Sequence, residues 1–487
     1  MTPGGYHTFF DEGSTLHAAQ RLADGEQLYS DLLYFKGPLS YYGLALIFIC
    51  FGPGLAQARL SGAALVSLVL VLSFCLAWRI RPREACQRGL SPIAYAGIVF
   101  LLAGALIIQR VSWHNSWCAA ALSLAAILAC LWAEKKRRPM AWILSGLLVG
   151  LAFLTKQSFG LCLFGGVVFH RILLGFLTKN PHEARFLIPW LKGVFLALAG
   201  WALFALIAGN LRDFLYLTII YPLTAKGLVS GLAHSLPPVV FGRETLLFYG
   251  FPLLLLALAV HAGCRTTRGS RSHRILFAYS VLALCVYGAL FPRSDMGHLR
   301  PLLPIALPAL LYVADNAIAR IPGWWRVLPV LALAGMFAVF LDAPLVLSLS
   351  KGVPLSMERG LGVKTDPETT AILNELVEEI QARTLPGEAI FVVPWAPLVY
   401  LLADRPNPTR VRIIWPGQWD SRDYQLETIR DLEKARVRTI IRVQGLKVIH
   451  QQDFAQYASL VHGYIGTNYT SVKAIGRFEI LDRKQAG

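Results

Sequence analysis

Apolar runs of about bilayer-crossing length recur ten times between residues 60 and 347: 60–78, 92–109, 116–133, 141–155, 158–177, 188–208, 244–262, 274–291, 300–318 and 326–347. A membrane-spanning helix needs roughly 17–25 such residues, so this repetition dictates a polytopic helical bundle and a mainly α fold. The run 141–155 is short, but it abuts the next across Lys156 and Gln157. An eleventh run, 39–51, is too short to cross and reads as a re-entrant or interfacial helix. A mean hydropathy of +0.52 with only 15% charged residues sets the chain apart from soluble enzymes.

The net charge of +17 is unevenly placed. Residues 1–349 hold 28 Lys/Arg against 13 Asp/Glu, whereas 350–487 hold 18 against 16. The excess gathers in short loops, RIRPREACQR (79–88), EKKRR (134–138), CRTTRGSRSHR (264–274) and a smaller one with Arg320 and Arg326. Basic loops between spans mark the cytoplasmic side rather than a nucleic-acid surface. Alternation then places residues 1–59, 110–115, 209–243, 292–299 and everything after 348 outside. An even count of ten spans joins an external start to an external end.

Three regions follow: an external amphipathic segment (1–59), a transmembrane helical domain (60–348) and an extracytoplasmic domain (349–487). In the last, a Thr/Asp cap opens a helix over 365–384. Strand-like runs at 389–394, 410–415 and 438–443 alternate with helix-like 396–403 and 422–435, which reads as a small α/β domain. It holds none of the eight cysteines and needs no disulfide.

Five of the 13 acidic residues in 1–349 fall between Asp11 and Asp31. Carboxylates beside a bilayer are costly, which marks this cluster as a site. Asp11 is placed to cap a helix ending at Asp24 and Gly25. Leu16, Ala19, Leu22 and Ala23 share one face of it, and His17 and Arg21 another. Such a helix is expected to lie along the membrane surface, followed by the interfacial aromatics Tyr34, Phe35, Tyr41 and Tyr42.

An Asp-Glu after which come G-x-x-L-Y-x-D, K-x-P-L, an apolar half-helix ending in Phe-Gly, and A-x-A-R resembles the GT-C superfamily. Its members are integral-membrane glycosyltransferases that use polyprenyl-phosphate sugars. The nearest likeness is to glycosyltransferase family 39, with its protein O-mannosyltransferase and lipid A aminoarabinose transferase relatives. The matching residues are Asp11, Glu12, Gly25, Tyr29, Asp31, Lys36, Pro38, Leu39, Gly52 and Arg59. The dense match covers about residues 6–60, and GLLVGLAFLTKQ (146–157) matches more loosely. Two departures stand out. The family's first transmembrane helix has no counterpart, so a hydrophobic helix is expected upstream of Met1, and Gly37 stands where a proline often precedes Pro38.

The resemblance implies one inverting displacement at the extracytoplasmic face of a bacterial inner membrane. Its donor would be a polyprenyl-phosphate-linked sugar and its acceptor a lipid, protein or glycan, with no nucleic acid involved. Such chemistry needs a base for the acceptor proton and cations for the departing phosphate. Asp11 is the candidate base, with helix capping as its alternative. Glu12 could orient Asp11, bind a divalent metal or face water. Asp31 and Tyr29 could contact the acceptor or the sugar, though an Asp here also suits a turn. Arg59, Lys156 and Lys36 could meet the lipid phosphate or snorkel to the interface. Arg293, Asp295, His298 and Arg300 crowd the external loop 291–301, either as sugar or phosphate contacts or as a structural pair. Trp113 could stack on a sugar, and His114 beside it reads as structural. No His/Asp/Glu spacing compels a metal site.

A flippase or permease is the competing function, and a non-catalytic scaffold is the third. Charge deep within spans would favour transport, but here it sits mostly at span ends and in loops. The wide loop 209–243, with Tyr216, Tyr221 and His234, is the candidate selector of the acceptor.

Overall fold

A computed structural model describes residues 12–81, 113–224, 243–267, 270–291, 294–321, 352–446 and 452–485, with isolated positions at 91, 97, 98, 325, 328, 331, 332 and 335. Seven of the described helices are long and apolar enough to cross a membrane: Leu55–Ile80, Asn115–Lys136, Gln157–Thr178, Pro181–Ile207, Leu246–Thr266, Arg271–Leu290 and Met296–Arg320. They coincide with seven of the ten expected runs. The short run 141–155 forms Pro139–Thr155, again only 17 residues. Runs 92–109 and 326–347 lie outside the fully described residues.

We label the main helices α1 (Gly13–Ala23), α2 (Leu39–Phe51), α3 (Leu55–Ile80), α4 (Asn115–Lys136), α5 (Pro139–Thr155), α6 (Gln157–Thr178), α7 (Leu187–Ile207), α8 (Phe251–Thr266), α9 (Arg271–Tyr287) and α10 (Leu303–Arg320). α4 packs antiparallel on α5 and α8 on α9, while α7 runs parallel to α5 against it, and α3 lies against α4 and α10. Where α5 and α7 cross, a side chain on Gly146 would begin 1.9 Å from the Trp190 carbonyl oxygen, and one on Gly193 2.0 Å from that of Ile143. In lipid, where apolar surface gains nothing by leaving the tails, such close backbone approach is what holds helices together.

The alternation gathers the basic loops at one end. There Arg81 pairs with Asp315 at 2.5 Å. Arg171 lies between Glu134 and Glu183, and Arg274 reaches both of those carboxylates at 2.8 and 2.6 Å. Thus these buried charges near the span ends are paired rather than strung along a pathway.

Residues after 352 close over the opposite end. They form α11 (Pro367–Arg383), β1 (Ile390–Val393), α12 (Leu398–Ala403), α13 (Arg422–Lys434), β2 (Thr439–Val443), α14 (Ser459–Asn468), β3 (Tyr469–Ile475) and β4 (Phe478–Arg483). The sheet order is β1-β2-β4-β3, with β1 and β2 parallel and the rest antiparallel. Asp366 caps α11 by accepting from the Thr369 N–H at 2.9 Å, as the Thr/Asp opening implied. The run 410–415 is not a strand. Its polar backbone is spent elsewhere: the Arg410 carbonyl accepts from Leu33 N–H and the Ile414 N–H donates to the Pro394 carbonyl, both at 3.0 Å. The β3–β4 hairpin was not expected from the sequence, because β3 buries only its two end residues and so shows no alternation.

α1 corrects a further expectation. It does not lie on the membrane surface: every residue from Gly13 to Leu22 is buried, between α2 and α12. One apolar core joins Leu16, Tyr34 and Phe48 to Phe214, Leu398 and Trp419. The opening segment is therefore packed into the C-terminal α/β unit as firmly as into the bundle.

Candidate functional site

Asp11 and Arg293 lie outside the described residues. The site is built from what surrounds them. Glu12 opens α1 and is 5% exposed. Arg59, in the first turns of α3, donates to it through Nε and Nη2, both at 3.2 Å. This fork-on-carboxylate arrangement holds both groups in one orientation and links the start of α1 to the start of α3. Two residues singled out from opposite ends of the acidic segment are thereby brought together.

Beyond Glu12 the segment is locked down. Ser14 accepts from the Trp395 indole N–H at 3.2 Å, and its carbonyl accepts from the Tyr34 hydroxyl at 2.5 Å. The Arg412 guanidinium lies 3.3 Å from the centre of the Tyr34 ring and donates to the Leu33 carbonyl. Arg21 donates to Glu26 at 2.6 Å and to the carbonyls of Thr409 and Asp31. Burial raises the Glu26 carboxyl despite that partner, and burial likewise raises that of Asp24. His17 stacks on Tyr400, ring centres 4.5 Å apart, and neither ring nitrogen has a hydrogen-bond partner among the described residues. Burial, reinforced by Arg21 and Arg412, holds His17 well below its ordinary value.

Asp31 and Tyr29 are used by the loop itself. The Asp31 carboxylate accepts from the Gln27 N–H at 2.8 Å while the Asp31 N–H donates to the Gln27 carbonyl at 3.0 Å, closing the turn from both sides. Tyr29 is 1% exposed, has a φ of 78°, and donates its hydroxyl to the Lys36 carbonyl at 2.9 Å. Gly37 has no room for a larger residue: a side chain there would begin 2.2 Å from the Leu154 carbonyl oxygen.

Lys156 stands in the break between α5 and α6. Its ammonium donates to Ser116 Oγ at 3.0 Å and lies 5.0 Å from the Phe159 ring centre. Next to it Gln157 donates to the carbonyls of Phe35 and Thr218, tying the acidic segment to the bundle. His114 caps α4 by accepting from the Ser116 N–H, and Trp113 donates its indole N–H to the Ser40 carbonyl. Asp295 caps the turn Met296–Leu299 and contacts the His298 imidazole at 3.0 Å. Arg300 follows, in a turn that packs on α4. Arg59, Lys156, His298 and Arg300 all belong to the end of the bundle that the α/β unit covers.

Sequence reading passed over Arg412, Ser116 and Trp395. For Arg412 a signal existed: a cation inside the apolar run RVRIIW needs a partner, and the Tyr34 face supplies it. Among the described residues no three His, Cys, Asp or Glu side chains are grouped as a metal would require.

This fold is known. ArnT from Cupriavidus metallidurans bound to undecaprenyl phosphate superposes with a TM-score of 0.59 at 14% identity, over 98% of this chain and 94% of that one. The same protein in the apo state gives 0.56, also at 14% identity, over 97% and 93%. The oligosaccharyltransferase AglB from Archaeoglobus fulgidus, in complex with an inhibitory peptide and a dolichol-phosphate, gives 0.53 at 13% identity, over 98% and 70%. Both are GT-C proteins, and the chain has the GT-C fold. No protein-family model matches the sequence, and no curated protein does.

Proposed function

We propose that this chain is a GT-C glycosyltransferase that moves a sugar from a polyprenyl-phosphate donor to an acceptor at the extracytoplasmic face of a bacterial inner membrane. The observation that carries the reading is the Glu12–Arg59 pair, seated at the α/β-covered end of a fold shared with an undecaprenyl-phosphate-bound protein.

Glu12 is committed to Arg59, which leaves Asp11, one residue earlier, to take the acceptor proton. Glu12 thereby acts as a positioning residue. Loss of that proton turns the acceptor hydroxyl into a nucleophile, and its oxygen attacks the anomeric carbon as the bond to the lipid phosphate breaks. A single displacement of this kind inverts the anomeric centre. The released phosphate gains negative charge, and Lys156 with Arg300 and Arg293 are the cations proposed to receive it. Tyr29 and Asp31 shape the loop that presents Asp11, while Asp295 orients His298 at the rim. The bundle, 60–348, would hold the donor lipid, and residues 349–487 would face outward.

Full-length protein in membranes, supplied with a labelled polyprenyl-phosphate sugar and envelope acceptors, tests this. Asp11→Asn is expected to lower transfer at least 100-fold, the usual scale for a general base, with membrane insertion unchanged. Equal transfer by parent and variant would overturn Asp11 as the base. Movement of labelled lipid across the bilayer without transfer would overturn the enzyme in favour of a flippase.

A further inference from the structure

Between the bundle and the α/β unit, away from Glu12 and Arg59, lies a cleft of about 260 Å³. Tyr216 and Tyr221, from the helical stretch 211–224, form one wall, and Trp419, Asp420 and Tyr424 the other. Tyr221 stacks on Trp419 with ring centres 4.6 Å apart and planes within 10°, and Tyr424 meets the same indole edge-on at 5.1 Å. The wall is thus a rigid aromatic stack, with Tyr216 44% exposed at its rim.

Its polar groups are unspent. Trp419 is 1% exposed, and its indole N–H has no acceptor among the described residues. One Asp420 carboxylate oxygen accepts from the Gly417 N–H at 2.8 Å, and the other has no donor among the described residues. The Tyr216 and Tyr424 hydroxyls have no partner among the described residues either. Among the described residues no Lys or Arg lines the cleft. A free carboxylate oxygen and hydroxyls beside flat aromatic walls complement a ring that carries hydroxyl groups. Drug-sized pockets run to roughly 300–1,000 Å³; this one is smaller, suited to one or two sugar units.

We infer that this cleft is a saccharide subsite, separate from the donor site, that holds the glycan part of the acceptor. Its assignment to the acceptor rests on the glycosyltransferase reading; its affinity for sugar does not. The test is therefore made without any donor. Full-length protein in nanodiscs is titrated with maltotriose, cellotriose, chitotriose and mannotriose, and binding is read by saturation-transfer NMR. At least one trisaccharide is expected to bind with a Kd of about 1 mM or tighter. Tyr216→Ala, at the exposed rim, is expected to weaken it at least fivefold, and Trp419→Phe, which trims the indole to a phenyl ring and loosens its stack with Tyr221, by a similar factor. If Trp419→Phe does not fold, Tyr216→Ala decides alone. Absence of binding up to roughly 20 mM, or affinity that Tyr216→Ala leaves unchanged, would overturn the subsite. Sugar binding without transfer would remove only the enzyme reading, and transfer without sugar binding only the cleft.

Discussion

Replacing Arg171 by Met is the most severe single test of how the bundle is held at its basic end. The Arg171 guanidinium is fully buried on α6. It is ion-paired to Glu134 of α4 and Glu183 of the turn before α7, and it donates from Nε and Nη2 to the Glu183 carbonyl at 3.1 and 2.7 Å. The rings of Trp142 and Phe186 lie within 4.9 and 5.1 Å of it. Met fills much of that volume without the charge. Two buried carboxylates then share Arg274, which reaches both, and the half-exposed Arg137, 3.1 Å from Glu183. Breaking a buried pair by deleting one partner costs about 3–5 kcal/mol, a change of roughly 100-fold or more in the folded ratio. SDS titration in mixed micelles, followed by tryptophan fluorescence, measures it. The triple variant Arg171→Met/Glu134→Gln/Glu183→Gln removes the stranded charges and is expected to recover most of the loss. A single-variant loss below about 1 kcal/mol, or a triple variant no more stable than the single, would refute the argument that uncompensated charge, rather than lost packing, sets the cost.

Other outcomes follow from the same reasoning. Arg59→Gln strands the buried Glu12 carboxylate, and losing a charge-assisted fork should lower transfer roughly 10- to 100-fold, with Arg59→Lys restoring part of the initial rate. His17 is held neutral in the fold, facing Arg21, Arg412 and the Tyr400 ring. Its folded value lies below the unfolded one, so its contribution is complete above about pH 6.5 and is lost as pH falls through that point toward the folded value. His17→Phe keeps the stacking and should flatten the fall in melting temperature between pH 7.5 and pH 5; parallel curves for the two proteins would contradict this. Gly146→Ala forces α5 off the Trp190 carbonyl and should cost about 1–3 kcal/mol in the same SDS titration, with Gly193→Ala similar.

The spans were legible because about twenty consecutive apolar residues have one stable outcome in lipid. Local chemistry was legible too: Asp366 caps α11, and Asp31 closes a turn. What could not be read was anything decided by a distant partner. α1 has the composition of a surface helix, but Arg21 donates to the Thr409 carbonyl across a separation of 388 residues, and α12 covers the other face. Periodicity reports that a face is apolar, not what will cover it. The run 410–415 failed in the reverse sense, since β-type residues were drawn into pairing with the loop near Leu33 rather than into the sheet.

The same distinction bears on the acidic cluster. Of its carboxylates, Asp31 is consumed by a turn, Glu26 by Arg21 and Glu12 by Arg59. Among the described carboxylates of the cluster, Glu12 alone is ion-paired to the first turns of a membrane span, through Arg59. A cluster that served the loop alone would need no such anchor, since Arg21 and Arg412 already fasten it to the α/β unit. Placing a rigid fork between α1 and α3 fixes the chain one residue after Asp11, where a base must be held to within a fraction of an ångström to be effective. The expense of burying Glu12 is understandable if it is the position of its neighbour that matters. Arg59→Lys should therefore slow transfer more than it lowers stability, because a lysine supplies the charge but not the fork.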